Sequence, residues 1–300
     1  MDEDRASGAP QIRGYRLHRL VAVTDFSEIW LAEDLALRRA VAIKAFTPKP
    51  DENGIIAPFP IAEWRRRFYQ EGRLQAGFDH PNIVPVIRFD HAEDGRPCLL
   101  MQYLPQSLRD EIGADIFDGR PVEDGVPACS ASPARTREVL LQVLAGLVEI
   151  HRRGVVHRDL KPRNLLLMGS DGARVKITDF GMAKPPDEPD APGTEWFGTR
   201  EYISPEQYAN ASRATDRSDI FSLGVIGIRM LTGHFPDRRR LAAVDGIPSD
   251  FADLLAQCLE SDPAGRPDAG RMLARLAAIT LPNAPSRAHD GLLTQAAGLP

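Results

Sequence analysis

The stretch HRDLKPRN occupies residues 157–164 and directly follows a segment, 134–152, whose amphipathic pattern predicts a long helix. Two other short motifs stand in equally regular settings. VAIK at 41–44 lies in a predicted strand, and DFG at 179–181 follows the predicted strand at 174–178. Any one of these motifs is a weak signal, whereas three in this order, each in its expected setting, are a specific one.

The three motifs resemble the signature of the protein kinases, and SPE at 204–206 stands where that family usually has Ala-Pro-Glu. Over roughly residues 13–280 the chain resembles the eukaryotic-like (Hanks-type) serine/threonine protein kinases of bacteria. The resemblance implies an α+β, bilobal protein-kinase-like fold, with an antiparallel sheet plus one helix in the N-lobe and a mainly helical C-lobe. The expected boundaries are 13–282 for the kinase domain, about 13–103 for the N-lobe, about 104–282 for the C-lobe, and 1–12 and 283–300 for flexible tails.

Secondary structure predicted from periodicity alone also favours two lobes. The first hundred residues contain short β-rich segments around one predicted helix at 61–76, and the pattern becomes mainly helical after the cap and first-turn proline at Ser132-Pro133. A strand-rich half followed by a helix-rich half is typical of two separate layers of packing. The predicted strands are 15–23, 28–33, 40–46, 83–89 and 98–103, and the later helices are 134–152, 217–232, 250–260 and 268–279.

Composition and charge exclude several other classes of protein. The 300 residues carry a formal net charge of −5, which argues against a general nucleic-acid-binding surface. The three cysteines lack the spacing of metal ligands and are expected to be free thiols in a reducing compartment. The acidic start MDED is unlike a signal peptide, and the longest apolar run, 220–231, is too short to cross a bilayer. We therefore expect a cytoplasmic protein with no membrane segment in this chain.

The resemblance implies roles for six residues in phosphoryl transfer, a reaction that depends on alignment and charge neutralisation. Lys44 would hold the α- and β-phosphates of ATP, and Glu71, rather than Glu63 on the same predicted helix, would orient it. The chain has only five lysines, and two of them fall where this chemistry needs them. The implied catalytic residues are Asp159, Lys161, Lys44 and Glu71, and the implied ligands of Mg²⁺ (or Mn²⁺) are Asn164 and Asp179.

Two of these residues concern the phosphate acceptor. Asp159 would accept or orient the substrate hydroxyl, and Lys161 would stabilise the transferred phosphate. A lysine at that place resembles the serine/threonine-specific subclass rather than the tyrosine-specific one. The implied partners are therefore protein substrates, which the sequence does not identify.

The resemblance also implies a pocket for ATP between the lobes. Ile29, Ala42 and Leu166 would enclose the adenine, and the strand from Met101 to Tyr103 would lie beside it as the hinge. Each of these residues is equally suited to an ordinary core position. The complete implied set is Ala22, Thr24, Ser27, Ile29, Ala42, Lys44, Met101, Gln102, Tyr103 and Leu166.

The phosphate loop, residues 22–27, departs from the family because it lacks all three glycines. Ala22, Thr24 and Ser27 stand in their places, although glycine lets the backbone approach phosphates closely and reach positive φ. Backbone N–H groups remain available in principle. Two hypotheses follow: an ATP-dependent serine/threonine protein kinase with weakened nucleotide binding, or a pseudokinase that acts as a binding or scaffolding module. The intact metal and catalytic residues favour the first, and the segment around 198–206, which resembles a peptide-positioning loop, disfavours a small-molecule kinase.

Three further departures concern packing and surface. Gln75 stands four residues after Glu71, where the family usually has an apolar residue, so we expect either a rotated helix or a weaker stack. After 233–236 the chain reaches the helix predicted at 250–260 quickly, which predicts that the family's helix between them is shortened or absent. The segment 109–133 is an insertion that either docks a partner or is inert, and we favour an inert loop.

The activation segment is expected to run from Asp179 to Glu206. Arg158 is the residue that in this family receives a phosphate from the segment, and we predict autophosphorylation at Thr194. The competing hypothesis is that the acidic residues of 187–195 already supply negative charge and make activity constitutive.

Three other residues resemble structural positions of the family. Asp219 is expected to hold the catalytic loop from the start of a helix. Glu206 and Arg266 are expected to form an ion pair that fixes the end of the activation segment.

Overall fold

A computed structural model of the chain describes residues 8–24, 26–49, 55–56, 59–114, 116–117, 120–121, 127–169, 172–186, 200–234 and 241–282. Thr194 and the acidic residues 187–190 and Glu195, which the activation hypotheses concern, lie outside these ranges. Residues 8–12, assigned above to a tail, contact the N-lobe. Ile12 is buried in its core, and the backbone N–H of Glu93 donates to the carbonyl of Gln11.

A five-stranded antiparallel sheet forms the N-lobe, in the order β1-β2-β3-β7-β6. Its central strand β3 is buried from Val41 onward because one face carries the apolar core and the other faces the helix of this lobe. The strands are β1 (Tyr15–Val23), β2 (Ser27–Asp34), β3 (Arg39–Phe46), β6 (Val86–His91) and β7 (Pro97–Gln102), with a short separate pair, β4 (Ile55–Ile56) and β5 (Phe59–Pro60).

Helix α1 (Ile61–Ala76) packs on this sheet through residues three or four apart, the spacing that puts side chains on one helical face. Trp64 and Phe68 supply the apolar part of that face and join the cluster of Phe46 and Leu99. Glu71 and Gln75, one turn apart, continue the same buried face. The packing therefore fixes α1 in rotation, which decides which carboxylate can reach the sheet.

The C-lobe is mainly helical, as predicted from its periodicity. The buried helix α5 (Asp216–Thr232) lies at its centre, contacts α3 and α6, and begins at a Thr215 capping box. Its other helices are α2 (Leu108–Ile112), α3 (Pro133–Arg152), α4 (Pro205–Ala209), α6 (Ser249–Cys258) and α7 (Ala269–Ala278). Its strands are β8 (Gln106–Ser107), β9 (Ile116–Phe117), β10 (Arg120–Pro121), β11 (Leu165–Met168) and β12 (Arg174–Ile177), of which β12-β11-β8 form one sheet.

The ends of the insertion 109–133 are tied to α5 by the fully buried Arg229. Its guanidinium donates to the carbonyls of Ile112, Gly113 and Ala114 on one side and of Cys129 on the other, at 2.7–3.3 Å. Gly113 has a φ of 73°, and a Cβ there would lie 1.8 Å from a carbonyl oxygen, so only glycine fits. The insertion thus begins and ends against the core of the C-lobe.

Among the described residues, no helix combines the length and the apolar character needed to cross a membrane.

Candidate active site

Lys44 on β3 and Glu71 on α1 form a buried ion pair between sheet and helix. The Lys44 Nζ donates to both Glu71 carboxylate oxygens, at 2.6 and 2.8 Å, and the two side chains are 3% and 1% exposed. Glu63, the alternative on the same helix, instead pairs with Arg66 and Arg67. The structure therefore brings Glu71 to Lys44, and it shows that α1 is not rotated despite Gln75.

Asp179 completes this group from the start of the activation segment. Its Oδ1 lies 3.0 Å from Lys44 Nζ, while its side chain remains 36% exposed. Burial alone would lower the pKa of Lys44, but Asp179 and Glu71 outweigh that effect and raise it above the ordinary value. Burial would likewise raise the pKa of Asp179, but Lys44 and Lys161 hold it well below its usual range. Both shifts favour a protonated Lys44 beside an ionised Asp179 at neutral pH.

Asp159 lies in a second group formed by the catalytic loop itself. The Lys161 Nζ donates to both carboxylate oxygens of Asp159, at 3.0 and 2.8 Å. The Asn164 amide nitrogen, held by a 3₁₀ turn at Pro162–Asn164, donates to the Asp159 carbonyl and to its Oδ2, at 2.8 and 3.0 Å. Burial and the charge of Asp179 raise the pKa of Asp159, although Lys161 opposes them. The raised pKa makes this carboxylate the better proton acceptor of the two aspartates.

The catalytic loop is held in a strained backbone conformation by Asp219 of α5. Arg158 has a φ of 66°, in the left-handed region, which costs about 1–3 kcal/mol for a residue other than glycine. The fully buried Asp219 carboxylate accepts from the backbone N–H groups of His157 and Arg158, both at 2.9 Å, and lies 2.8 Å from His151 Nε2. These bonds fix the turn that presents Asp159.

A further contact joins the catalytic loop to the segment that carries Asp179. The Phe180 ring packs edge-on against His157 and stacks on Phe78, with centroids 5.0 and 5.4 Å apart. The backbone N–H of Thr178 donates to the carbonyl of Asn164 at 3.0 Å. The catalytic loop, which carries Asp159, and the segment that carries Asp179 are therefore packed and hydrogen-bonded to each other.

The donor chemistry of Asn164 and Asp179 fits a magnesium ion. Within the described residues, no group of three or more His, Cys, Asp or Glu side chains could hold a metal ion by itself. Mg²⁺, however, is usually bound by one or two protein oxygens together with waters and substrate phosphates. The lowered pKa of Asp179 favours an ionised carboxylate, which is a suitable ligand. The Asn164 amide nitrogen donates to Asp159, so the Asn164 amide oxygen is the atom that would bind a cation.

The implied adenine pocket is assembled by strand register. Ile29 pairs with Lys44, and Ala42 pairs with Met101, so these side chains share one face of the sheet. Leu166 of β11 packs against the cluster that contains Met101. The other implied residues have separate contacts: Ala22 pairs with Ile29, the Gln102 amide lies 3.4 Å from the Met168 sulfur, and the Tyr103 hydroxyl accepts from Arg19 at 2.9 Å.

The phosphate loop is closed by its own hydroxyl groups. The N–H of Thr24 donates to the Ser27 carbonyl at 2.8 Å, and the N–H of Ser27 donates to the Thr24 Oγ1 at 3.0 Å. The two hydroxyl oxygens lie 2.9 Å apart. The expectation that the loop keeps its backbone donors is therefore correct only in part, because two of these N–H groups are used within the loop.

Comparison with known proteins identifies the family. The model of the protein kinase domain matches residues 24–276. The chain belongs to the protein kinase family. Its relatives include serine/threonine-protein kinase pkn2 of Myxococcus xanthus, 31% identical over 87% of this chain and 31% of the relative. They also include PknA of Corynebacterium glutamicum, 30% identical over 95% and 60%, and PknL of Mycobacterium tuberculosis, 31% identical over 88% and 65%.

These matches confirm the predicted bacterial serine/threonine kinase family and the predicted bilobal fold. The chain spans between about a third and about two thirds of the length of these three relatives. What their names state therefore applies to this kinase only as a proposal, which is argued below.

Two features of the kinase site were not anticipated from the sequence. The Phe26 ring stacks on Trp64, and the buried Gln75 donates through Nε2 to the Val84 carbonyl at 2.9 Å. In the sequence, Trp64 is one of the apolar residues of the helix predicted at 61–76, and Gln75 is a departure from an apolar residue. Residue type indicated neither contact, because both depend on partners distant in sequence.

Replacing Gln75 by leucine is expected to stabilise the kinase by about 1 kcal/mol. The amide oxygen of Gln75 is fully buried without a hydrogen-bond partner, and this costs free energy that leucine would recover. Leucine would also leave the Val84 carbonyl without its donor, at a similar cost. Because these two effects nearly cancel, the added apolar burial determines whether the substitution stabilises the fold. Thermal unfolding measures the difference. A Tm several degrees lower in Gln75→Leu would contradict the prediction and would mean that a buried water satisfies the amide oxygen in solution.

The ion pair of Glu206 and Arg266 is present as expected, with two hydrogen bonds at 2.7 and 2.8 Å and a third to Glu206 from the Ser218 hydroxyl at 2.7 Å. Burial would raise the pKa of Glu206, but Arg266 and Ser218 lower it from 4.5 to about 2. Because the folded pKa is depressed, the stabilisation is present above pH 4.5 and is lost as the pH falls toward 2.

The Glu206 contribution predicts an acid sensitivity that Glu206→Gln removes. Between pH 6 and pH 3, wild type is expected to lose up to about 2 kcal/mol more unfolding free energy than Glu206→Gln, because the remainder is lost only below pH 3. Urea denaturation of both proteins at pH 6 and at pH 3 measures the loss of unfolding free energy in each. Equal losses in the two proteins would show that the pair contributes nothing to acid unfolding.

Proposed function

We propose that this chain is an ATP- and magnesium-dependent serine/threonine protein kinase that transfers the γ-phosphate to protein hydroxyls. The observation that carries the proposal is the complete pairing of Lys44 with Glu71 and Asp179, beside an Asp159 held by Lys161 and Asn164. The names of the relatives and the lysine at 161 support serine/threonine specificity.

The residues divide the reaction between binding, orientation and proton transfer. Lys44, oriented by Glu71, meets the α- and β-phosphates as a fixed cation. Asp159 accepts the proton of the attacking hydroxyl as the new O–P bond forms and the bond to the β-phosphate oxygen breaks, which leaves ADP. Lys161 neutralises charge beside the transferred group. A magnesium ion, held by Asp179 and Asn164, would neutralise phosphate charge when bound.

A second candidate function, a pseudokinase that binds or scaffolds a partner, is favoured by the closed phosphate loop. Two backbone N–H groups that would otherwise reach phosphates are used between Thr24 and Ser27. If these bonds persist, nucleotide binding is weakened and catalysis slows. Asp179 and the catalytic loop have no feature that favours this candidate.

Incubation of the whole chain with γ-labelled ATP and either Mg²⁺ or Mn²⁺ distinguishes the candidates. The kinase proposal predicts phosphoserine or phosphothreonine, in the chain itself or in a generic acceptor protein such as casein. Phosphotyrosine alone would overturn the specificity. Binding of a fluorescent nucleotide, tight or weak, without any transfer would replace the proposal with the pseudokinase. Absence of both binding and transfer would overturn the nucleotide site altogether.

We also propose autophosphorylation at Thr194. The support is that Arg158 lies at the base of the activation segment, where its guanidinium donates to the Met182 carbonyl at 2.7 Å. A phosphate on the segment would place about two negative charges within the same segment that Arg158 already contacts, and phosphate oxygens are strong acceptors for a guanidinium. Mass spectrometry after incubation with ATP is expected to find phosphate on Thr194. An active sample with unmodified Thr194 would favour the competing hypothesis that acidic residues make activity constitutive.

The domain boundaries 13–282 and the cytoplasmic location remain proposals. The location is supported by the three free thiols, Cys98, Cys129 and Cys258.

A further inference from the structure

A side chain on α1 reaches the phosphate loop and joins it to the helix that carries Glu71. The Phe26 ring stacks on Trp64 with centroids 4.4 Å apart and an angle of 14° between the rings. Trp64 is only 3% exposed and belongs to the core between α1 and the sheet. A stacked aromatic pair contributes about 0.5–1.5 kcal/mol beyond its area, so the contact is strong enough to influence the position of a loop.

The same Phe26 ring lies over the catalytic lysine. The Lys44 Nζ is 5.8 Å from the ring centroid, within the range of a cation–π contact. Lys44 also donates to Glu71, which lies on the same buried face of α1 as Trp64, about two turns further along. Phe26 therefore contacts Trp64 of α1 and Lys44 of β3. It touches both the helix and the sheet that the Lys44–Glu71 ion pair joins.

The backbone around Phe26 transmits this position to the rest of the loop. The Phe26 carbonyl accepts from the N–H of Thr47 on the β3 side at 2.8 Å. On the other side, Thr24 and Ser27 are closed on each other by the bonds already described. A loop with glycine at these places could adapt its backbone, whereas here the bonds between Thr24 and Ser27 restrict it.

We propose that Trp64 is a positioning residue for the nucleotide: through Phe26 it holds the hydroxyl-closed phosphate loop in place over Lys44. This inference rests on the proposed function for its consequence, because it assigns the loop a fixed position beside Lys44, where the phosphates would bind. The Thr24 and Ser27 N–H groups stay withdrawn from the phosphates, so Trp64 affects where the loop lies and not how many donors it offers. Preorganisation gains affinity by reducing the ordering that binding requires. The arrangement also links the phosphate loop to the helix that supplies Glu71, so displacement of one displaces the other.

Trp64→Leu tests the inference, and Phe68→Leu is the matched control. Phe68, also on α1 and also buried, packs on Phe46 and Phe89 but forms no stack with Phe26. In hydrogen exchange, Trp64→Leu is expected to speed the exchange of the Thr24, Ser27 and Thr47 amides, while Phe68→Leu leaves them protected. Equal acceleration in the control, or none in Trp64→Leu, would overturn the inference.

Nucleotide binding provides the second measurement, with a methylanthraniloyl-labelled ADP and Mg²⁺ as the probe. Trp64→Leu and Phe26→Leu are each expected to raise the Kd by about 2- to 10-fold, the equivalent of one stacked pair, and the double variant no further than either single variant. Additive effects would overturn the coupling. Phe68→Leu is expected to leave the Kd within two-fold.

A fluorescence signature separates positioning from a general structural effect. The chain has three tryptophans, so Trp30→Phe with Trp196→Phe leaves Trp64 as the single emitter. Titration with Mg-ADP is expected to change Trp64 emission when Phe26 is present and not in Phe26→Leu. If wild type binds no nucleotide, the proposed function fails, whereas hydrogen exchange still decides whether Trp64 holds the loop.

Discussion

Asp159→Asn is expected to lower kcat for phosphoryl transfer by about 10²- to 10⁴-fold, the range for loss of a positioned general base. Asparagine has the same shape, but its amide cannot take up the proton of the substrate hydroxyl. We assign this task to Asp159 because burial and the charge of Asp179 raise its pKa, whereas Lys44 and Lys161 lower the pKa of Asp179. Steady-state transfer of labelled phosphate measures the effect.

The control for Asp159→Asn is the affinity of the variant for nucleotide. Lys44, Glu71 and Asp179 are untouched by the substitution, so the Kd for Mg-ADP is expected to remain within about three-fold, less than half the free energy of a tenfold change. A kcat within tenfold of wild type would contradict the role of Asp159 as proton acceptor. A large change in Kd with unchanged kcat would assign the residue to binding instead.

Lys44→Met is expected to be the most destabilising single change in the site, by about 3–5 kcal/mol, because it leaves a buried carboxylate without its cation. Both Glu71 oxygens and one Asp179 oxygen would lose their partner. Transfer activity is expected to fall by at least about 10²-fold, since the fixed charge at the phosphates disappears. Urea denaturation and labelled-ATP assays measure the two effects separately.

The stability loss in Lys44→Met should depend on pH. Burial raises the pKa of Glu71 to about 7 even beside Lys44, and loss of the ammonium raises it further. A raised carboxylate pKa means that the folded state binds more protons, so stability falls as the pH rises. The deficit is therefore expected to be larger at pH 8.5 than at pH 6. The double variant with Glu71→Gln should lack this pH dependence.

Lys49→Met is the matched control for Lys44→Met, because it removes the other lysine of the same region. Lys49 is 58% exposed and lies 3.9 Å from Glu28, so its removal is expected to change stability by at most about 0.5 kcal/mol. A comparable loss in both variants would show that the ion pair with Glu71 has no special weight.

Most of the fold and the catalytic set followed from the sequence because they depend on local pattern and motif. The helix predicted at 61–76 begins and ends where it was expected, and the motif residues Lys44, Asp159 and Asp179 lie together. These features are encoded by spacing along one element or by short strings. The choice of Glu71 over Glu63 came from the motif, and its physical cause is the rotation that Trp64 and Phe68 impose on α1.

What the sequence did not predict depends on contacts between distant segments. Whether Thr24 and Ser27 would bond to each other, or leave their N–H groups free, is a matter of loop backbone geometry that residue type does not fix. Gln75 donates a hydrogen bond to the Val84 carbonyl, whereas the sequence predicted either a rotated helix or a weaker stack. Arg229 lies within the apolar run 220–231, and nothing in that run indicates that it donates to carbonyls a hundred or more positions away.

The clamp by Arg229 has a practical consequence for engineering this lobe. Since one guanidinium donates to the carbonyls of Ala114 and of Cys129, these two points, which lie near the two ends of the insertion, are held together against α5. The entropy of closing a loop grows only slowly with its length. A peptide tag or a small domain grafted between Ala114 and Pro127 should therefore leave the lobe folded. The same graft in an Arg229→Met background should destabilise α2, because the chain directly after that helix would no longer be held by the guanidinium.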